Sequence, residues 1–294
     1  MTYIKNKSTI VAALIAGICS CTATIDIKTN SSEPVLTIYG SITDELKRHE
    51  IILSSSLPYF ENRESDKVSG ASVVLKTSEG DEFLMTDDSI KGLYRTVEEV
   101  AGKPGTIYTL TVETDFDNDG VTETYSAVST MPDFYPADSI NVKPVKMMGM
   151  TLQTIYFYAD NPPVEIYVLP KFYVNDSLVT DRLGRYAVFS NEYTYGNYIP
   201  GARIYDFHDV TDYDKFDDER RERSVFVKEG DKITMDMYLI DKHYYDFIRQ
   251  AKEEIHGENP IFGGPASNIT TNIKGGAAGF FAAMCRSRLE TVIK

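Results

Sequence analysis

The chain has no tryptophan, four histidines and three cysteines in 294 residues, and each shortage closes off a class of function. Without tryptophan, a platform for stacking sugars would have to be built from tyrosine, of which there are 20. His49, His208, His243 and His256 are a thin supply for metal or acid–base chemistry. No His-Glu-x-x-His helix, Gly-x-Ser-x-Gly elbow or phosphate-cradling glycine loop accompanies them. Basic residues are outnumbered, 30 Lys and Arg against 44 Asp and Glu, for a formal net charge of −14. Nucleic acid recognition needs a basic patch, so it is not an expected partner. No apolar run is long enough to span a bilayer as a stable helix.

The stretch "LIAGICSCTATID", Leu14 to Asp26, ends a short apolar run with two cysteines. Lys5 and Lys7 precede the run, which makes residues 1–20 a basic n-region and a short h-region, the pattern of a secretory leader. A lipoprotein signal peptidase needs a small residue before the cysteine that is acylated. Cys21 follows Ser20 and Cys19 follows bulky Ile18, so Cys21 is the expected lipidation site, and residues 21–34 read as a polar tether. Ordinary secretion with cleavage near Ser20 is the other reading. Lys5 and Lys7 leave with the leader and no acid does, so the charge of −14 becomes −16. Cys285 is then the only other thiol, which excludes an intramolecular disulfide. It shares a period-two face with Phe281 and Ala283, as a buried, inert thiol would.

Past the tether, short β-type runs alternate with turn residues. Tyr108, Leu110 and Val112 alternate with Thr109, Thr111 and Glu113, a half-buried strand with one wet face. The spacing predicts a mostly β fold built as two antiparallel β-sandwich-like domains, 35–132 and 133–294, divided at "TMPDFYPADS" where Pro132 and Pro136 interrupt the pattern. One amphipathic helix is expected in the second domain at Asp241–His256. Tyr244, Ile248, Ala251 and Ile255 recur at helical spacing, Asp241 is placed to cap the start, and Gly257 follows the end. His243 and His256 lie too far apart on this helix to share a metal.

Four constellations are candidates for chemistry. In "DFDNDGVTE", Asp115, Asp117 and Asp119 alternate ahead of Gly120, with Glu123 beyond, matching the first half of an oxygen-rich calcium loop. The twelfth position is Ser126 and the flanks read as strands, so a calcium-stiffened hairpin tip and a solvated acidic turn both remain open. No other cofactor is expected. Asp217 and Asp218 sit in "YDKFDDERRERS", which reads as a solvated charged loop and not as a pair of catalytic acids. Tyr186, Tyr193, Tyr195, Tyr198, Tyr205 and Tyr213 crowd a stretch with little sustained periodicity. Tyrosine on a loop gives rigid contact area with a polar tip, which suits recognition of a protein or glycan. Tyr193, Tyr195, Tyr198 and Tyr205 are the candidate binding residues, and the other reading makes half of these rings core. The tripeptides at Asp88, Asp138 and Asp176, each Asp-Ser followed by Ile or Leu, are similar to an O-glycosylation acceptor signal and are also ordinary turn-to-strand sequences.

The ordered set "PVLTIYGSITDE", "SSSLPYF", "VSGASVVL", "GLYRT", "GKPGTIYTLTVET", "YSAVSTMP", "EGDKITMDMYLIDKHYYDFI" and "NPIFGGPASNITTNIKGGAAGFFAA" resembles the Bacteroidota lipoprotein family known as domain of unknown function 4249. The resemblance covers nearly all of the chain after Cys21. It implies an outer-membrane lipoprotein, often encoded beside a TonB-dependent receptor, with an N-terminal module similar to carboxypeptidase-regulatory or immunoglobulin-like sandwiches. The family supplies no catalytic residues to carry over, and this chain departs from the common pattern at Asp115–Glu123. The expectation is a non-enzymatic, lipid-anchored, surface-exposed accessory of a TonB-dependent uptake system. The alternative is a structural or adhesive surface protein that binds glycan or protein through its tyrosine-rich loops.

Overall fold

The structure is a computed structural model and describes residues 33–57, 63–88, 90–256 and 269–294. The leader, Cys21, nearly all of the tether, Ser89 and Gly257 lie outside the described residues. The first half contributes β1 (Leu36–Thr43), β2 (Glu50–Ser55), β3 (Ser72–Thr77), β4 (Glu82–Asp87), β5 (Leu93–Thr96), β6 (Ile107–Thr114) and β7 (Glu123–Thr130). The second contributes β8 (Ser139–Met147), β9 (Met150–Asp160), β10 (Tyr167–Val174), β11 (Ser177–Leu178), β12 (Phe189–Ser190), β13 (Tyr198–Asp209), β14 (Phe226–Val227), β15 (Lys232–Ile240), β16 (Ile273–Lys274) and β17 (Ala278–Val292). The fold is mostly β. Alternation works as expected in β6, where Tyr108, Leu110 and Val112 are buried and their neighbours are not.

Two sheets form. One runs β11-β10-β15-β17-β1-β2-β5-β4-β3-β6-β7-β16, with β12 also on β10, and the other runs β14-β13-β9-β8. The division expected near residue 133 is not a break in the fold: Pro34–Lys294 is one compact unit. The physical reason is β17. Its first half, Ala278–Met284, pairs in parallel with Thr37–Thr43 of β1, and its second half, Cys285–Val292, pairs antiparallel with β15. One strand therefore belongs to both halves. Asn272 adds a second tie, donating to Val128 O at 3.1 Å and Phe281 O at 2.7 Å and accepting from Phe281 N at 3.1 Å. The connection through Pro132 and Pro136 does not separate two bodies, since Tyr135 and Ala137 pack on the common core.

The segment Phe280–Cys285 of β17 is buried on both faces. Phe281, Ala283 and Cys285 enter the large core shared with Ile38, Leu110 and Phe172. Phe280, Ala282 and Met284 face a second cluster beneath the helix Lys242–His256, which presents Tyr244, Phe247 and Ile248. Asp241 caps that helix as expected, accepting from Tyr244 N at 2.8 Å. The buried Tyr244 hydroxyl meets Tyr39 Oη at 2.8 Å, so neither is left without a partner. Cys285 donates to Pro132 O at 2.9 Å, and burial pushes its thiol up to about 12, as befits an inert group. On the β15–β17 pair, the Arg288 guanidinium grips the buried Asp236 carboxylate through two bonds of 2.6 and 2.7 Å.

Candidate functional site

The tyrosine-rich stretch, expected as one long irregular segment, is three elements. Asn191–Asn197 is a turn, Tyr198–Asp209 is the strand β13, and Val210–Lys215 is a 3-10 helix. β13 pairs with β9 with register shifts at Pro200/Ala202 and Arg203/Tyr205, so Gly201 and Ile204 are extra residues without partners on β9. Such bulges break the period of two, which is why this strand has no clean alternation in its sequence. Gly201 takes φ +104°, and a Cβ there would crowd the Tyr158 ring at 3.0 Å.

The tyrosines divide accordingly. Tyr193 is 90% exposed and Tyr195 42%, both in the turn, and Tyr198, the first residue of β13 beside it, is 53% exposed. Tyr205 is packed inward, its ring 4.5 Å from Phe172 and 5.1 Å from Phe207, and Tyr186 is buried under the helix. Tyr213 is exposed but sits past the far end of β13, about 30 Å from Tyr198 by strand rise, with Arg221 over its ring. Three of the four candidate residues are thus brought together, and Tyr205 is not with them.

A buried polar network holds the turn. Asn191 Nδ2 donates to Asn161 Oδ1 at 2.9 Å and to Val164 O at 2.8 Å, while Asn191 Oδ1 accepts from Ile166 N at 2.8 Å. Asn161 Nδ2 donates to Thr194 Oγ1 at 2.8 Å and also to the Thr194 carbonyl. Asn161 and Asn191 are both buried. These residues carry no motif in the sequence; the only signal is the turn-forming "DNPP" at Asp160–Pro163. Partial desolvation, followed by Asp138 and Asp160, keeps the Tyr198 phenol above its ordinary range. Tyr195 shifts the same way, through desolvation and then Glu165 and Glu192. Both hydroxyls are neutral donors at physiological pH.

The acidic hairpin tip joins β6 to β7, strands on both flanks as expected. One carboxylate oxygen from each of Asp115, Asp117, Asp119 and Glu123 lies within 4.8 Å of all the others. Calcium holds its oxygens at 2.3–2.6 Å, so oxygens on opposite sides of the ion are about 5 Å apart, and the spacing fits. Phe116, Asp119, Gly120 and Val121 donate backbone N–H groups to these side chains. Asp115 Oδ1 is buried and has no hydrogen-bond partner.

Asp217, Asp218 and His49 are engaged in local structure. Asp217 caps a short helix, Asp218–Arg223, instead of lying in a loop, and Asp218 and Glu219 pair with Arg221 and Arg223. His49 is buried and bonded to backbone through both ring nitrogens. His208 packs against the rings of Phe216 and Phe226, and its Nδ1 is buried without a hydrogen-bond partner. Ser139 and Ser177 of the Asp-Ser tripeptides are exposed at strand starts. Among the described residues no helix is long and apolar enough to cross a membrane. No curated protein matches the chain. The family described as "Domain of unknown function (DUF4249)" matches residues 22–289, nearly the whole length, and the chain belongs to it.

Proposed function

We propose that this chain is a non-enzymatic, lipid-anchored outer-membrane protein that works by docking, as an accessory of a TonB-dependent uptake system, and that it docks through the turn bearing Tyr193, Tyr195 and Tyr198. The supporting observation is exposure combined with rigidity. Three tyrosines project from a turn whose backbone the Asn161–Asn191–Thr194 network fixes. A fixed turn loses little conformational freedom on binding, and tyrosine supplies area with few rotatable bonds. Acylation of Cys21 with two or more chains would hold the protein stably at the membrane. Tethering beside a receptor raises the effective concentration to roughly the millimolar range, so weak contacts suffice. Replacing Tyr193, Tyr195 and Tyr198 with Ser is expected to abolish co-purification with the neighbouring receptor while folding and membrane attachment persist. Retention of the receptor by the folded triple variant would place the interface elsewhere.

A second element of this reading is calcium at the hairpin tip. Asp115 Oδ1 favours it, because a buried carboxylate oxygen without a donor is costly unless a cation completes it. Asp115, Asp117, Asp119 and Glu123 would hold the ion, whose role there is to stiffen the turn.

A further inference from the structure

Between the two sheets, beside the tyrosine turn, lies a cavity of about 390 Å³. It opens to solvent beside the exposed residues Asp160, Ala202 and Arg203. It falls in the range of small-molecule sites. One wall comes from β9 and β13, the other from β10, β12 and β15.

The space exists because small residues stand at the wall. Ala159 is paired with Ile199, and Ala202 with Phe157. Ile204, the unpaired residue at the second bulge of β13, also lines the cavity. Bulges gather beside functional sites because they re-aim a side chain out of the regular pleat. Two of them in one cavity wall are a second observation, independent of the volume.

The chemistry of the lining selects the ligand. Asn161, Asn191 and Thr194 line the cavity but spend their hydrogen-bonding groups on one another and on the backbone. Arg203 is held by Asp206 through bonds of 3.0 and 2.6 Å, which neutralises its charge. Asp160 adds an exposed negative charge, on a chain already at −14. Apart from Ser190, the remaining lining side chains are apolar or aromatic. We infer that this cavity is a binding site for a compact, uncharged, largely apolar small molecule. The inference does not depend on the docking reading, since it rests on the walls of the cavity and not on Tyr193, Tyr195 or Tyr198.

N-phenyl-1-naphthylamine, which is uncharged and fluoresces in apolar surroundings, tests it against its sulfonated analogue 1-anilinonaphthalene-8-sulfonate. The full chain carrying Cys21→Ala is titrated with each probe, so that no detergent competes. Saturable binding of the uncharged probe is expected, with the sulfonated one at least about tenfold weaker, because the site offers no free cation to offset burial of its charge. Ala159→Leu and, separately, Ala202→Leu fill the space from its wall. Each is expected to weaken the uncharged probe about tenfold or more while the thermal midpoint holds or rises. Ala202 lines the cavity at a solvent-exposed position, so its variant keeps the test open should Ala159→Leu fail to fold. Absence of saturable binding, equal binding of the sulfonated probe, or full binding by both folded variants would overturn the inference.

Discussion

Gly279 lies against the carbonyl of Ile38 so closely that a Cβ there would overlap the Ile38 oxygen, and its φ of +103° is one that L side chains rarely adopt. The two residues are partners in the parallel β1–β17 register, where the last strand of the chain meets the first. Gly279→Ala therefore combines a backbone clash with conformational strain, and should cost about 3 kcal/mol or more. Since β17 also pairs with β15, the loss is expected across the whole unit in one transition. Urea unfolding followed by hydrogen exchange would check this. Amides of β6 and of β9 should lose protection together; separate transitions would show that the halves fold independently.

That pairing is the part of the fold the sequence conceals most completely. Tyr108, Leu110 and Val112 announce β6 through local alternation, and Asp241 with Tyr244, Ile248 and Ala251 announces the helix, because cap and stripe are local signals. A parallel partner hundreds of residues away leaves no local mark. Strand β13 was hidden for another reason: its bulges at Gly201 and Ile204 shift the facing residues, so Tyr205 looks like loop aromatic and is core. The short helix Asp218–Arg223 has no apolar stripe, being held by its cap and by charge pairs three and four residues apart. Of the candidate site, the acid cluster was legible in its spacing. The Asn161–Asn191–Thr194 network was not, because it joins residues about 30 apart on two different turns.

His49 should make stability depend on pH. Its Nε2 lies 2.8 Å from Val100 O and so carries the proton, while Nδ1 accepts from Thr43 N at 3.4 Å. A proton added to Nδ1 would face that N–H. Burial, opposed by the Val100 bond and modified by Lys47 and Glu45, pushes the ring down to about 4 from its ordinary 6.5. The unfolded chain therefore takes up a proton that the folded chain refuses between those values. Stability from this group is complete above about pH 6.5 and is lost as pH falls towards 4, by about 3 kcal/mol in all. Urea midpoints for the parent and for His49→Gln, measured across that window, should converge as pH drops. A gap that stays constant with pH would show that His49 is not the titrating group.

Calcium at the hairpin tip is open to a direct measurement. Without a cation, four carboxylates within 4.8 Å of one another repel, and Asp115 Oδ1 is buried with nothing to bond. With one, that oxygen gains a ligand, and Asp117 and Asp119 complete a hard, oxygen-only set on a turn already shaped by Asn118 at φ +59° and Gly120 at φ +88°. Because the ion would bind only the folded turn, adding it should raise the thermal midpoint by mass action, in proportion to the logarithm of its concentration. Magnesium demands a smaller, more regular shell and should do less. Asp117→Asn with Asp119→Asn removes two charges while keeping oxygens in place. It should abolish the calcium-dependent rise and leave the calcium-free midpoint unchanged or higher, since the charge repulsion is also relieved. Calorimetric titrations of parent and double variant that are equally flat would leave the cluster as a solvated acidic turn.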